Sequence, residues 1–221
     1  MPAVAVGRSR RDPVIRELSS PRVNLVKVAF AVVQRPRLVT AVIDGVGSPV
    51  TRLRFASAKV LRLVSERAPH LLYPHFDALL GMLDSGNAIL RWDATHIIAN
   101  LAGVDHQEYI ENILDRYMDP ITGHEMIGAA TCIQGAARIA RAKPHLAEAI
   151  AGYILKTQHG VYKTPECRDI AIGHAITAFD QFFRELNDSR ADVLDFVTLQ
   201  LHNARPATRK KAEAFLKKWA A

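Results

Sequence analysis

The sequence predicts an all-α protein built from repeated helical hairpins, and three observations lead to this fold class. Little of the 221-residue chain shows the alternation expected of strands, whereas apolar residues recur at steps of three and four. A basic residue followed three positions later by a small one returns several times along the chain. The hydrophobic content of 49% is enough for a substantial core, in one domain or in one continuous array of small units.

One hairpin is visible between residues 70 and 103. Its first helix carries an apolar stripe that includes Phe76, Leu79 and Leu83, and the break at residues 85–87, Ser-Gly-Asn, ends that helix. The second helix carries a stripe that includes Leu90, Ala94 and Ile97. Two such helices, each apolar on one face, pack as an antiparallel pair.

The hairpin recurs when the chain is aligned on the basic and small residues. The pairs are Arg54/Ser57, Arg91/Ala94, Arg168/Ala171 and Arg209/Ala212, with Met126/Ala129 in the fourth unit and Lys27 as a weaker, earlier member. Successive pairs lie roughly 35–42 residues apart, near the period of helical solenoids. The small residues are expected to allow close contacts between helices.

These segments resemble the HEAT-repeat family, in the broad sense that includes HEAT-like and armadillo-type α-solenoids. The residues that carry the resemblance are "MLDSGNAILRWDA", "YMDPITGHEMIGAA" and "LHNARPATRKKA". The resemblance implies a right-handed α-α superhelix of about six stacked hairpins. Tetratricopeptide repeats fit less well, because the spacing is too long and their aromatic pattern is missing.

The resemblance covers residues 13–219 and gives six units, with no domain boundary between them. We therefore expect a single HEAT-like domain over residues 13–221, preceded by a flexible basic tail at residues 1–12. In the last helix, lysines surround an inward stripe that ends at Trp219, as expected of a soluble terminal cap. The predicted units are 13–34, 36–67, 70–103, 107–141, 145–185 and 189–219.

The formal net charge of +7 is unevenly distributed along the chain. Residues 1–60 hold 11 Lys or Arg and 3 Asp or Glu, residues 61–200 hold 12 and 18, and residues 201–221 hold 6 and 1. A polyanion would therefore engage the ends and not the centre. We expect only weak electrostatic binding of nucleic acid, through the basic termini.

The sequence contains no apolar run of the roughly 20 residues that cross a bilayer. The apolar run near its start is too short for the hydrophobic region of a signal peptide. We therefore expect a cytoplasmic protein with no membrane partner. Cys132 and Cys167 lie far apart and without metal-type spacing, so they are expected to be reduced thiols in the core. The oligomeric state is left open.

The HEAT resemblance implies that the second helix of each pair lines the concave side, where a protein partner would bind. On a helical wheel, Trp92 and His96 lie opposite the apolar stripe of their helix. The same register in the neighbouring helices gives the other candidate residues, and a Trp near Arg is the composition of an interface hot spot. The alternative is that these side chains pack laterally against neighbouring helices. The predicted partner-binding residues are Phe55, Lys59, Arg62, Trp92, His96, Ile127, Thr131, Gln134 and Arg138.

Motifs that carry chemistry are missing from the sequence. It has no Gly-rich phosphate loop, HExxH, GxSxG or CxxC. We therefore expect a non-catalytic protein-binding scaffold or adaptor, with no cofactor and no metal. The alternative is a nucleic-acid-binding protein that resembles the HEAT-like alkylpurine DNA glycosylases, because Trp92 adjoins Asp93. Adjacent residues diverge by about 100° on a helix, so this pair alone does not form an aromatic pocket with an inward carboxylate.

Overall fold

The structure is a computed structural model that describes residues 13–220. These residues form α-helices joined by short turns and 3-10 segments, and no strand occurs among them. The predicted basic tail at residues 1–12 lies outside the described residues. The helices are α1 (Pro13–Leu18), α2 (Leu25–Gln34), α3 (Val39–Val46), α4 (Thr51–Arg67), α5 (Phe76–Leu83), α6 (Ala88–Leu101), α7 (Tyr109–Asn112), α8 (Leu114–Met118), α9 (Met126–Ala142), α10 (Ala147–Leu155), α11 (Pro165–Phe182), α12 (Arg190–Leu199) and α13 (Pro206–Trp219).

The chain divides into two compact units, the first ending at Asp105 and the second beginning at His106. Over the described residues, each unit contains three of the six predicted helical pairs. In the fourth pair, the first arm is broken into α7 and α8. The prediction of an all-α helical-repeat fold is confirmed. The single domain over residues 13–221 stays a prediction.

Within each unit, the second helices of successive pairs pack on one another. In the first unit α4 lies against both α2 and α6, and in the second unit α11 lies against both α9 and α13. Second helices also pack against the first helix of their own pair, as α4 does against α3 and α6 against α5. One hairpin cannot bury both faces alone, so the core forms between neighbouring pairs.

The small residues of the repeat lie at the closest helix contacts. Gly45 of α3 approaches α4 so closely that a Cβ atom at this position would collide with the Ser57 hydroxyl. Gly173 of α11 lies against α13, where an added Cβ would be 3.0 Å from Thr208 Oγ1. The prediction that the small residues allow close helix contacts agrees with this packing. All five of the aligned small residues are fully buried: Ser57, Ala94, Ala129, Ala171 and Ala212.

Two of the four recurrent arginines, Arg91 and Arg209, bind the turn that precedes their helix. Arg91 Nη1 donates to the carbonyl oxygen of Ser85 at 2.8 Å, six residues earlier. Arg209 Nη1 donates to the carbonyl oxygen of Asn203 at 2.7 Å, also six residues earlier. These bonds connect α6 and α13 to the turns leading into them and give a structural reason for the arginine in these two pairs, whereas Arg54 instead donates to Thr51 Oγ1 within α4.

The C-terminal helix is held by an aromatic cluster and one carboxylate. The Trp219 ring lies 5.1 Å from the Phe183 ring, and Phe215 packs against both. Asp180 Oδ1 accepts hydrogen bonds from Trp219 Nε1 and Lys218 Nζ, each at 2.7 Å. Lys217 and Lys218 remain exposed beside this cluster. This arrangement fits the predicted terminal cap.

Both cysteines are free thiols in the structure. Cys132 is fully buried, and Cys167 is half-buried against a small cluster formed by Ala129, Tyr162 and Ala171. Between residues 13 and 220, no helix is both long and apolar enough to cross a membrane.

Candidate functional site

In the first unit, the predicted residues of α4 lie on the side that faces away from α3. Ser57 marks the side toward α3, because its hydroxyl lies where a Cβ on Gly45 would be. Phe55 precedes Ser57 by two residues and is therefore rotated from it by about 200°. Lys59 and Arg62 follow Phe55 at steps of four and three, and all three side chains are half-buried. They form one stripe on the surface of α4.

Trp92 occupies the equivalent side of α6. Leu90 lines a pocket with Met82 of α5, so Leu90 marks the side toward the first helix of the pair. Trp92 lies about 200° further round the helix. Its side chain is half-buried, and its Nε1 atom is buried without a hydrogen-bond partner among the described residues. Trp92 therefore combines lateral packing with partial exposure, and it is not a fully solvent-facing anchor. His96, one turn later, is also half-buried.

Asp93 links α6 to α4 instead of joining Trp92 in a pocket. Its Oδ1 atom lies 3.5 Å from Arg62 Nη1, and Arg62 also pairs with Glu66 at 3.8 Å. Burial raises the pKa of Asp93, while the charges of Arg62 and Lys59 act against that rise. The carboxylate of Asp93 therefore has a structural partner, and its environment does not require a catalytic role.

In the second unit, α9 turns Cys132 toward the first helix of its pair. The Cys132 thiol donates to the Tyr117 carbonyl oxygen of α8 at 3.0 Å. Gln134, two residues on, points away from α8 and is exposed. Ile127 is also exposed, at 51%, and Arg138 is half-buried. These three residues share a side of α9.

The structure differs from the prediction at Thr131, which was expected to contact a partner. Its side chain is buried, with 8% exposure, and its hydroxyl donates to the Ile127 carbonyl oxygen at 2.8 Å. A threonine that bonds its own helix backbone in this way offers no group to a partner. Thr131 lies on the same side of α9 as Ile127 and Gln134, so the helical wheel gave its direction correctly but could not show that it is buried.

Two residues that were not predicted extend the α9 surface onto α11 and α13. Gln134 Nε2 lies 3.3 Å from His174 Nδ1 of α11, and Lys211 Nζ of α13 donates to the Gly173 carbonyl oxygen at 2.8 Å. Burial, followed by the charges of Lys211 and Arg205, lowers the pKa of His174. This environment favours the neutral imidazole of His174. Its position follows from the stacking of α9 on α11, which leaves no local signal in the sequence.

The surface formed by the outward sides of the second helices is hereafter the second-helix face of each unit. In the first unit it includes Phe55, Lys59, Arg62, Trp92 and His96. In the second unit it includes Ile127, Gln134, Arg138, His174 and Lys211. Within the described range 13–220, no group of three or more His, Cys, Asp or Glu side chains could hold a metal ion.

Solved structures of other proteins share this architecture. Neither a protein-family model nor a curated protein matches the chain. A designed armadillo repeat protein in complex with the peptide (KR)4 has 15% identity to it and a TM-score of 0.62, over 93% of this chain and 98% of that chain. Computationally designed armadillo repeat proteins for modular peptide recognition give 14% identity and a TM-score of 0.64, over 93% and 90% of the two chains.

The chain has a HEAT/armadillo-type repeat fold. At 14–15% identity, the likeness to these designed proteins shows the fold alone. The HEAT/armadillo-type fold agrees with the arrangement seen in each unit, where second helices stack beside one another and share a surface.

Proposed function

We propose that the chain is a non-catalytic scaffold or adaptor that binds a protein segment on its second-helix face. The observation that carries this proposal is the set of incompletely buried apolar side chains beside polar ones on this face. Phe55 and Trp92 are half-buried, while Ile127 is 51% exposed. Large side chains of this kind supply much of the binding energy when a partner covers them.

The structural neighbours support a peptide as the form of that segment. Designed armadillo repeat proteins with this fold are described as peptide-recognition proteins, and one was solved with a bound peptide. A repeated helical surface presents similar positions at regular intervals, which suits an extended chain. Whether the partner is a short segment or a larger protein does not alter the role of the face.

A pull-down from the native host, with nuclease treatment, tests the proposal. We expect the chain to capture a distinct protein partner, and we expect Phe55→Ala to reduce that capture by about tenfold or more, which corresponds to the loss of a moderate hot spot. Leu199→Ala is the matched control, because Leu199 is 65% exposed but lies on α12, a first helix. Equal loss with both variants, or capture that nuclease abolishes, would contradict the proposal.

Nucleic-acid binding is the second candidate function, and a specific observation favours it. The C-terminal helix α13 carries five Lys or Arg residues and a single acidic one. Such a helix attracts phosphates without reading base sequence. The pull-down separates this candidate from the first, because only binding through nucleic acid disappears after nuclease treatment.

A further inference from the structure

Charge in this protein is sorted by helix position within the pair. In the first unit, the second helices α2, α4 and α6 carry seven Lys or Arg and two Asp or Glu, whereas the first helices α1, α3 and α5 carry one and three. In the second unit, α9, α11 and α13 carry eight and four, whereas α7, α8, α10 and α12 carry two and five. In each unit, the second helices taken together are therefore basic and the first helices together acidic, although α6 is neutral and α11 is acidic.

Two cations of α4, Arg52 and Lys59, form no direct ion pair among residues 13–220, although the charge of Lys59 acts on Asp93. Arg52 is exposed and Lys59 is half-buried. The acidic groups near this stripe, Glu66 and Asp93, both pair with Arg62. A partner with carboxylates would therefore supply the charge that α4 lacks.

Apolar and aromatic groups lie among these cations. Phe55 lies between Arg52 and Lys59 along the α4 stripe, and the Arg54 guanidinium stands 5.4 Å from the centre of the Phe55 ring. On α6, Ile89 and Trp92 add further apolar surface. The first unit therefore presents a mixture of positive charge and apolar area, which suits a partner that has both acidic and apolar side chains.

The second unit repeats this combination in a pocket between α11 and α13. The pocket is lined by Ile176, Ala214 and Phe215, together with Thr177, Asp180, Lys211 and Lys218. Asp180 pairs with Lys218, and Lys211 donates to a backbone carbonyl oxygen. Lys211 is therefore the cation of this pocket that would attract a carboxylate next to an apolar residue.

We infer that the partner segment is an extended acidic peptide that also carries apolar side chains. This inference rests on the proposed function and specifies the chemistry of the ligand. It gives the ligand a charge opposite to that of the (KR)4 peptide bound to the designed armadillo repeat protein. A peptide is favoured over nucleic acid because α11 carries three acidic residues and one basic residue between the basic helices α9 and α13. Nucleic acid has a phosphate at every nucleotide and would be repelled there, whereas a peptide can place an uncharged apolar residue opposite α11.

Fluorescence anisotropy with labelled peptides tests the inference. In an extended chain, alternate side chains share one side, so the probe (EELL)2 presents both Glu and Leu to the surface. The comparison probes are (KKLL)2, (QQLL)2 and a single-stranded DNA of similar length. We expect the full chain to bind (EELL)2 most tightly, with an affinity that falls as salt is added.

Charge-reversal variants locate the binding. The double variant Arg52→Glu/Lys59→Glu should weaken (EELL)2 binding by about tenfold or more, because it replaces attraction with repulsion. The matched control is Arg16→Glu/Arg37→Glu, which reverses two exposed charges outside the second helices. Circular dichroism melting verifies that both variants remain folded.

The outcomes separate the ligand chemistry from the proposed function. The chain could bind (QQLL)2 or (KKLL)2 as tightly as (EELL)2 and lose this binding in the Phe55→Ala variant. This outcome would overturn the acidic character of the ligand but leave a peptide-binding face. Binding of DNA tighter than that of every peptide would overturn the inference in favour of nucleic acid. An Arg52→Glu/Lys59→Glu variant that binds (EELL)2 as tightly as the unmodified chain would also overturn it. A complete absence of peptide binding would count against both proposals.

Discussion

Glu148 shows how one carboxylate joins two helical pairs in the second unit. It lies on α10, and its oxygens accept hydrogen bonds from the backbone N–H groups of Asn187, Asp188 and Ser189 at 2.6, 3.2 and 3.0 Å. These groups lie immediately before α12, which begins at Arg190. The helix dipole favours a negative charge near a helix start. Glu148 therefore anchors the turn that leads into α12, a helix of the next pair.

Replacing Glu148 should make stability less dependent on pH. Burial by itself raises the pKa of Glu148, but the N–H donors outweigh burial, and the pKa is lowered. A lowered pKa stabilises the fold above the unfolded-state pKa, and this stabilisation is lost as pH falls through the folded-state pKa. We expect Glu148→Gln to reduce the free energy of unfolding by about 1–3 kcal/mol at pH 7, with a smaller difference well below pH about 4.

Chemical denaturation at both pH values measures this effect. Glu185→Gln is the control, because Glu185 is exposed and lies in the same unit. A Glu148→Gln penalty of the same size at both pH values would show that packing, and not the charged hydrogen bonds, explains it.

Trp92 is the residue for which the sequence left two alternatives, and the structure combines them. Because its side chain is half-buried, we expect Trp92→Ala to lower the free energy of unfolding. The loss should be smaller than the value of about 3–5 kcal/mol that is typical of a core Trp. Ile127→Ala should leave stability nearly unchanged, since Ile127 is 51% exposed. Thermal melting compares the two variants, and complete unfolding by Trp92→Ala would assign Trp92 to the core alone.

At the scale of elements, helix contacts depend on small residues at fixed points. Gly45 lets α3 approach Ser57 of α4. We expect Gly45→Leu to reduce the free energy of unfolding by about 1–3 kcal/mol, because the larger side chain would force α3 and α4 apart. In contrast, an added Cβ at Gly81 of α5 meets nothing within 4 Å.

Gly81→Ala is therefore the matched control for the helix contact. It should leave stability unchanged or raise it by up to about 1 kcal/mol, because Ala favours helix over Gly. Urea denaturation of the two variants gives the comparison. Equal destabilisation by both would mean that glycine is required for backbone reasons and not for close approach.

At the scale of the whole molecule, the net charge of +7 predicts an attraction to polyanions. We expect weak, sequence-independent DNA binding that falls steeply with salt and involves the basic termini. Substitution of Lys217 and Lys218 by Gln should weaken it, since both are exposed on α13. Filter binding over a salt series measures the slope, and tight binding that persists at high salt would contradict the prediction.

The sequence predicted the helical repeat, its six helical pairs and the small residues at buried positions, because these features depend on local periodicity and residue volume. The recurrence of Arg91 and Arg209 was visible, although their bonds to turn carbonyl oxygens were not. Thr131 was predicted to be exposed because it shares a side of α9 with Ile127 and Gln134, but a helical wheel gives only the direction of a side chain and not how far neighbouring helices cover it.

Only the tertiary structure decided which side chains meet across repeats. Glu148 reaches the start of α12, Asp93 pairs with Arg62, and His174 lies beside Gln134. Each contact joins residues that are 31 or more positions apart in the chain. The sorting of charge by helix was hidden for a related reason. A net charge summed over a long segment, such as the acidic centre at residues 61–200, adds the charges of first helices to those of second helices and hides the difference between them. Counted helix by helix, the same residues give the second helices of each unit a net positive charge, although α6 is neutral and α11 is acidic.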